Sequence, residues 1–283
     1  MRNLLALFLL AALVLAGALS THAQVPNAAG AAAPLVIGQT FTLESKVLGE
    51  IRRINVYLPS AYTDSATRRL PVLYMPDGGI GEDFLHVAGL VQVLTGNGTM
   101  RPFILVGIEN TQRRRDLTGP TTSAEDRKIA PQVGGSAAFR QFIREELMPQ
   151  VRQRYRTTAE TAIVGESLAG LFVVETLLLE PKLFNTYIAF DPSLWWNKGQ
   201  LAAQAGSLLR VAGRPLVTAY LATSSQGDLK ATQHLVDAAG PEATRTGAWH
   251  YEPMPQETHA TIYHPAALTA FRRVFKPQSV NLH

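Results

Sequence analysis

The chain of 283 residues contains no cysteine, and only 17% of its residues are charged. Without cysteine, no disulfide can stabilise the fold and no lipid can be attached to an N-terminal cysteine. The formal net charge is only +4. The one dense basic cluster, from Arg113 to Arg115, lacks the interleaved aromatic residues of a nucleic-acid surface, so we expect no nucleic-acid partner. The 46% hydrophobic content predicts a globular protein stabilised by its core.

The sequence also lacks a long apolar run. Its apolar N-terminal stretch, from Leu4 to Leu19, is shorter than the about 20 residues that span a bilayer. Arg2 precedes the stretch and Thr21-His22-Ala23 follows it, which is the pattern of a cleavable secretory signal peptide. We predict a signal peptide over residues 1–23, a flexible leader over 24–38 and one domain over 39–283. The protein is then periplasmic or secreted, without stable membrane insertion; an uncleaved anchor is the alternative.

Hydrophobic patterning predicts an α/β fold. Two alternating segments, Thr40–Val47 and Arg52–Leu58, predict an antiparallel hairpin. The strands expected after it are Pro71–Met75, Phe103–Ile108, Thr161–Val164, Thr186–Phe190, Leu216–Thr223 and Ala248–Met254. The helices expected between and after them are Glu82–Leu94, Gly135–Tyr155, Leu168–Leu179, Gly199–Val211, Leu229–Ala239 and Pro265–Phe275. This alternation predicts a mostly parallel central sheet with helices on both faces. The long irregular segment Glu109–Gly134 is expected to form a lid or a binding loop.

A serine motif lies where one of these strands turns into a helix. The strand ending at Val164 is followed by Gly165-Glu166-Ser167-Leu168-Ala169-Gly170. A serine between small residues at a strand-to-helix turn is typical of the nucleophile elbow of α/β hydrolases. The usual fifth position of that motif is glycine and here it is Ala169, which adds only a methyl group. We predict Ser167 as a nucleophile.

A nucleophilic serine needs a base, and this fold orders the catalytic residues as serine, acid, histidine. His259 lies in a polar loop directly after the last predicted strand, where the fold requires the base. The other histidines after residue 23 are His86, His234, His250, His264 and His283. Asp228 follows the preceding strand and is the predicted acid, although an aspartate there also suits a helix N-cap. Glu257 and Asp191 remain alternatives.

The tetrahedral intermediate of acyl transfer needs two backbone N–H donors. Leu168, directly after the nucleophile, is expected to supply one. The second is expected from the loop Tyr74-Met-Pro-Asp-Gly-Gly79, with Gly79 or Gly78 as the donor. An ordinary Gly-Gly turn is the alternative.

Several segments together resemble the bacterial esterase branch of the α/β hydrolases. That branch includes enterochelin-type siderophore esterases, esterase D-like enzymes and feruloyl esterases, with mycolyltransferases as cousins. The segments that carry the resemblance are Leu73-Tyr-Met-Pro-Asp-Gly-Gly79, Val106-Gly-Ile-Glu-Asn-Thr111, Arg113, Arg115-Asp-Leu-Thr118, Val164-Gly-Glu-Ser-Leu-Ala-Gly170, Asp191-Pro-Ser-Leu-Trp-Trp-Asn197 and Glu257-Thr-His259. They extend from about Thr40 to the C-terminus, so the resemblance covers the whole predicted domain.

The resemblance implies a Ser167–His259 pair with Asp228 as the acid, although some siderophore esterases of this branch work with a serine–histidine dyad. This sequence departs from the commonest family pattern at two positions. Glu166 stands where the family often has histidine, and Asp191 stands where it often has serine. Neither departure removes the nucleophile or the base.

The predicted function is an exported serine esterase that acts on a small-molecule ester, such as a siderophore ester, without a metal or an organic cofactor. Trp195 and Trp196 are candidates for the substrate pocket, with core packing as the alternative. Arg113 and Arg115 are candidates for contact with an anionic substrate, with an Arg–Asp116 ion pair as the alternative. The alternative functions are an acyltransferase, a feruloyl or acetyl-sugar esterase with the same residues, and a non-catalytic binding protein on the same scaffold.

Overall fold

The computed structural model describes residues 32–241, 243 and 248–277. The predicted signal peptide, most of the predicted leader and His283 lie outside the described residues. Residues 32–38, the described end of the predicted leader, contain no helix or strand. Within the described ranges, no helix has both the length and the apolar character needed to cross a membrane. The described residues from Ile37 onward form one compact unit.

An eight-stranded sheet forms the centre of this unit. Its strands are β1 (Gln39–Ser45), β2 (Glu50–Tyr57), β3 (Leu70–Pro76), β4 (Ile104–Ile108), β5 (Thr157–Glu166), β6 (Thr186–Phe190), β7 (Thr218–Ser224) and β8 (Trp249–Met254). The spatial order is β1-β2-β4-β3-β5-β6-β7-β8. The β1–β2 and β2–β4 pairs are antiparallel, and every later pair is parallel. The predicted α/β fold with an N-terminal antiparallel hairpin is therefore confirmed.

Alternate residues of the central strands pack on opposite faces of the sheet. In β3, Val72 and Tyr74 belong to one core cluster, whereas Leu73 and Met75 belong to the other. Successive side chains of a strand point to opposite faces of the sheet. Since both faces are covered here, the side chains on both must be apolar. The sheet is thus rigidly held from both sides, and the carboxyl ends of its parallel strands meet at one edge.

Helices cover both faces. They are α1 (Ser60–Thr63), α2 (Phe84–Gly96), α3 (Arg113–Asp116), α4 (Ala124–Lys128), α5 (Ser136–Phe142), α6 (Met148–Arg154), α7 (Leu168–Leu179), α8 (Gln200–Leu209), α9 (Leu229–Ala239) and α10 (Tyr263–Val274). The single helix predicted over Gly135–Tyr155 contains a π-helical turn at Ile143–Leu147, between α5 and α6. Pro149, near the start of α6, has no N–H to continue the α-helical hydrogen bonding, which accounts for the widened turn before it.

The predicted irregular segment Glu109–Gly134 contains the short helices α3 and α4 and is anchored by a buried ion network. Arg52, which is fully buried, donates hydrogen bonds to Asp116, Glu50 and Thr111. A buried guanidinium requires such partners because its desolvation is costly when it is unpaired. The start of this segment is therefore fixed to β2, next to the carboxyl end of β4.

Candidate active site

The strand β5 turns directly into α7 at Ser167. The backbone of Ser167 has φ 60° and ψ −120°, a conformation that non-glycine residues rarely adopt. The turn is tight: a Cβ on Gly165 would lie 2.7 Å from the Cβ of Ala169, and a Cβ on Gly170 would lie 2.9 Å from the Phe190 carbonyl oxygen. Glycine at 165 therefore makes the room that the methyl of Ala169 occupies, which explains how the motif tolerates alanine at its fifth position.

The Ser167 hydroxyl meets the imidazole of His259. Ser167 Oγ lies 3.0 Å from His259 Nε2, although 92 residues separate them in the chain. His259 lies in the loop between β8 and α10, and its backbone N–H donates to the side-chain oxygen of Gln226 at 3.1 Å. The structure thus brings together the two residues that the sequence predicts as nucleophile and base.

The carboxylate on the other side of the imidazole belongs to Asp191. Asp191 Oδ2 lies 3.1 Å from His259 Nδ1, and the Asp191 side chain is completely buried. Its other contacts are with Ser224 at the end of β7, whose backbone N–H donates at 2.6 Å and whose hydroxyl donates as well. Asp191 directly follows β6, and it is one of the two alternatives to Asp228 that the sequence left open, on the ground of its place at the end of that strand.

The prediction of Asp228 as the partner of His259 is corrected by this geometry. The Asp228 side chain accepts a hydrogen bond from the Ala231 N–H at 3.0 Å and so caps α9. This is the N-cap role that the sequence allowed as the alternative. Glu257, the other alternative, accepts from the Thr261 hydroxyl at 2.6 Å. The structure therefore gives both carboxylates local partners of their own.

Glu166, next to the nucleophile, is a second carboxylate at the imidazole. Its Oε1 lies 3.3 Å from His259 Nε2, and its side chain is only 15% exposed. The pKa of Glu166 is raised to about 8, chiefly by burial and in part by the carboxylates of Asp191, Asp83 and Asp77, while Arg113 opposes the rise. The sequence identified Glu166 only as a departure from the family pattern. The structure places it against the catalytic candidates.

Both predicted oxyanion donors follow strands of the sheet, Gly79 after β3 and Leu168 after β5. Leu168 is the first residue of α7, where a backbone N–H has no partner within the helix. The Gly79 N–H donates to Glu82 Oε2 at 2.6 Å, whereas the Gly78 N–H donates to the Ile108 carbonyl within the backbone. Of the two glycines, Gly79 therefore has the amide that binds an anionic oxygen. Its role as an oxyanion donor stays a prediction.

The two arginines predicted to contact the substrate already have carboxylate partners. Arg113 forms a two-point hydrogen bond with Asp77, with Nε 2.7 Å from Oδ1 and Nη2 2.8 Å from Oδ2. Arg115 Nε lies 2.6 Å from Asp116 Oδ1, and its Nη2 lies 2.8 Å from Glu50. The ion pair between Arg115 and Asp116 is the structural alternative weighed from the sequence. A substrate contact by Arg113, which is 36% exposed, stays a prediction.

The two adjacent tryptophans differ in environment. Trp196 is buried, and its indole N–H donates to the Gly119 carbonyl at 2.8 Å. Trp196 therefore connects the segment after β6 to the segment Glu109–Gly134. This agrees with the alternative that Trp196 serves core packing. Trp195 is 48% exposed, and its proposed place in a substrate pocket stays a prediction.

The sheet topology and the turn at Ser167 define an α/β-hydrolase fold. The chain belongs to the family described as "Putative esterase", whose family model matches residues 45–261. That match contains Ser167, Asp191 and His259.

The chain is also similar in sequence to two siderophore esterases, which agrees with membership of the esterase family. The chain is 32% identical over 166 residues to the ferri-bacillibactin esterase BesA of Bacillus subtilis, a match that covers 53% of this chain and 56% of that protein. It is also 32% identical over 176 residues to the siderophore triacetylfusarinine C esterase of Aspergillus fumigatus, covering 58% of each chain. The chain thus spans little more than half the length of these relatives.

Solved structures share the fold over most of the chain. An IroE-like serine hydrolase from Shewanella oneidensis has a TM-score of 0.71 and 29% identity, covering 84% of this chain and 80% of that one. The BES protein from Bacillus cereus has a TM-score of 0.69 and 22% identity, and the match covers 86% of this chain and 98% of that one. At the latter identity the likeness concerns the fold alone.

We expect Glu166→Gln to be more stable than the wild type at about pH 8.5 and close to it at about pH 5. The pKa of Glu166 is about 8 in the folded chain against 4.5 ordinarily. Between these values the folded state binds the extra proton, so the free energy of unfolding falls as the pH rises. Since one pKa unit corresponds to about 1.4 kcal/mol, the gain at the higher pH should be on the order of 2–4 kcal/mol.

Urea denaturation of both proteins at the two pH values measures this difference. Glu125→Gln is the control, because the Glu125 side chain is 80% exposed and its replacement should change little. A stability difference between Glu166→Gln and the wild type that does not change with pH would contradict the prediction.

Proposed function

We propose that the protein is a serine esterase that hydrolyses carboxylic esters, with siderophore esters as its substrate class. The observation that carries the proposal is the hydrogen-bonded chain from Ser167 Oγ to His259 Nε2, at 3.0 Å, and from His259 Nδ1 to Asp191 Oδ2, at 3.1 Å. This is the order and spacing of contacts that a catalytic triad uses. We assign Asp191 as the acid of this triad.

In the proposed reaction Ser167 Oγ attacks the ester carbonyl while His259 Nε2 takes its proton. Asp191 accepts the Nδ1–H, which fixes the tautomer that leaves Nε2 free to act as a base, and it stabilises the imidazolium that forms. The imidazolium then protonates the leaving alcohol. Water, activated by the same histidine, releases the acid from the acyl-enzyme and regenerates Ser167.

The charge that develops on the carbonyl oxygen is taken by backbone amides. The Leu168 N–H lies at the start of α7, where the helix dipole also favours negative charge. The Gly79 N–H already binds one carboxylate oxygen of Glu82. In the proposed transition state the substrate oxygen takes the place of that carboxylate at Gly79.

Siderophore esters are proposed as substrates because of the names of the relatives. The Bacillus subtilis relative is a ferri-bacillibactin esterase, and the Aspergillus fumigatus relative is a siderophore triacetylfusarinine C esterase. Arg113 and the exposed Trp195 are proposed to line the substrate site. Arg113 would offer positive charge to an anionic siderophore, and Trp195 would offer an aromatic face.

We also propose that the protein is exported. The support is the N-terminal sequence, in which Arg2, an apolar stretch and Thr21-His22-Ala23 follow one another as in a signal peptide. The exported protein should begin at Gln24. N-terminal sequencing of protein recovered from outside the cytoplasm checks the cleavage, and an intact Met1 there would contradict it; a protein found only in the cytoplasm would contradict export.

Asp191→Asn is expected to reduce kcat for p-nitrophenyl acetate by about 10⁴-fold, because the amide favours the wrong imidazole tautomer. Ser167→Ala should lose comparable activity. Asp228→Asn is the matched control, since asparagine caps a helix as well as aspartate does and should leave kcat unchanged. Steady-state kinetics on the three variants tests the assignment; an active Asp191→Asn together with an inactive Asp228→Asn would reverse it.

At least one siderophore should be a better substrate than unrelated esters. The panel is enterobactin, bacillibactin and triacetylfusarinine C, each with and without ferric iron, beside a feruloyl and an acetyl-sugar ester. We expect kcat/KM for the best siderophore to exceed that for the two other esters by at least about tenfold. Chromatography of the released acids measures the rates. A preference for the feruloyl or sugar ester would reject the substrate class while leaving the esterase intact.

A further inference from the structure

The Glu166 carboxylate has no part in the proposed reaction, and one of its oxygens lacks a hydrogen-bond partner among the described residues. Glu166 Oε1 is buried and accepts no hydrogen bond from the part of the chain that the structure describes. It nevertheless lies 3.3 Å from His259 Nε2. A buried polar atom without a partner is uncommon in folded proteins, and it indicates a missing hydrogen atom or ion.

The separation of these two atoms matches that of two ligands of one metal ion. Zinc binds histidine nitrogen at about 2.0–2.1 Å and carboxylate oxygen at about 2.0–2.2 Å, in a tetrahedral arrangement. Two such ligands lie about 3.3–3.5 Å apart across the tetrahedral angle. The 3.3 Å between His259 Nε2 and Glu166 Oε1 agrees with that spacing. Ser167 Oγ, 3.0 Å from Nε2, lies close enough to offer a third, weaker ligand.

The far side of the imidazole is arranged as in metal-binding histidines. Those histidines usually give their other ring N–H to a carboxylate, which fixes the ring and strengthens the metal-bound nitrogen. Asp191 Oδ2 is that carboxylate, 3.1 Å from His259 Nδ1. Donor atoms of Glu166, Asp191 and His259 all lie within 4.8 Å of one another. The His259 side chain is 45% exposed, so a hydrated ion can reach Nε2.

We propose that His259 Nε2 and Glu166 Oε1 form a binding site for Zn²⁺ or a similar divalent transition-metal ion, and that the ion inhibits the enzyme. The ion takes the Nε2 lone pair that would otherwise accept the Ser167 proton. It is a reversible inhibitor and not a cofactor of the reaction. The binding claim is independent of the proposed esterase activity, and only the inhibition depends on it.

Zn²⁺ binding is measured directly, by competition with a zinc-binding chromophore at about neutral pH. Glu166→Gln keeps the shape of the side chain but removes the charged ligand, and it should weaken binding by at least about tenfold. His259→Ala should weaken binding to a similar extent. Glu257→Gln is the matched control, since this carboxylate lies two residues from His259 and is not among the donor atoms; its Zn²⁺ affinity should equal that of the wild type.

Ser167→Ala separates binding from activity, because it removes the proposed nucleophile and retains the two main ligands. It should still bind Zn²⁺. In the wild type, Zn²⁺ should inhibit hydrolysis of p-nitrophenyl acetate at the concentration at which it binds, and a chelator should restore the rate. Equal Zn²⁺ affinity of the wild type and Glu166→Gln would overturn the proposal, as would a wild-type Kd weaker than about 1 mM. An inactive wild type that binds Zn²⁺ through Glu166 would overturn only the proposed function.

Discussion

The buried carboxylate of Asp191 is the interaction on which the arrangement of the site depends. It accepts hydrogen bonds from the backbone N–H and the hydroxyl of Ser224, and it contacts His259 Nδ1. One side chain therefore links the ends of β6 and β7 to the loop after β8. A buried carboxylate without partners would be strongly destabilising, so Asp191 requires these contacts. One of them, with His259 Nδ1, also orients the imidazole toward Ser167.

The same arrangement makes ionisation of Glu166 unfavourable. A second carboxylate is held 3.3 Å from the same imidazole, in a mostly buried position and near Asp191. Burial together with this neighbouring charge raises the pKa of Glu166 to about 8, so the carboxyl carries a proton at neutral pH much more often than an exposed glutamate does. Glu166 is therefore the residue of the site whose charge depends most directly on its burial.

Local sequence patterns predicted the strands and helices, but the carboxylate that contacts His259 could be identified only from the three-dimensional structure. The strand Thr186–Phe190 and the helix Leu168–Leu179 have the predicted bounds, because apolar content and turn residues mark both ends of each. The pairing of Ser167 with His259 followed from chain order. The carboxylate beside His259 did not, since Asp191 and Asp228 both follow strands, and only the contact of Asp191 Oδ2 with His259 Nδ1 shows which of them faces the imidazole. The Asp228 side chain instead accepts a hydrogen bond from the Ala231 N–H and caps α9.

Backbone strain explains why this edge of the sheet is suited to chemistry. Three non-glycine residues with positive φ directly follow parallel strands: Asp77 after β3, Ser167 after β5 and Asp191 after β6. Such conformations cost about 1–3 kcal/mol each and persist only where the surroundings over-determine them. Here the surroundings are the two-sided core and the hydrogen bonds to Arg113, His259 and Ser224. Each strained residue places a polar side chain at the end of its strand, so the strained turns are the means by which an apolar scaffold presents the proposed nucleophile and the carboxylate that contacts its proposed base.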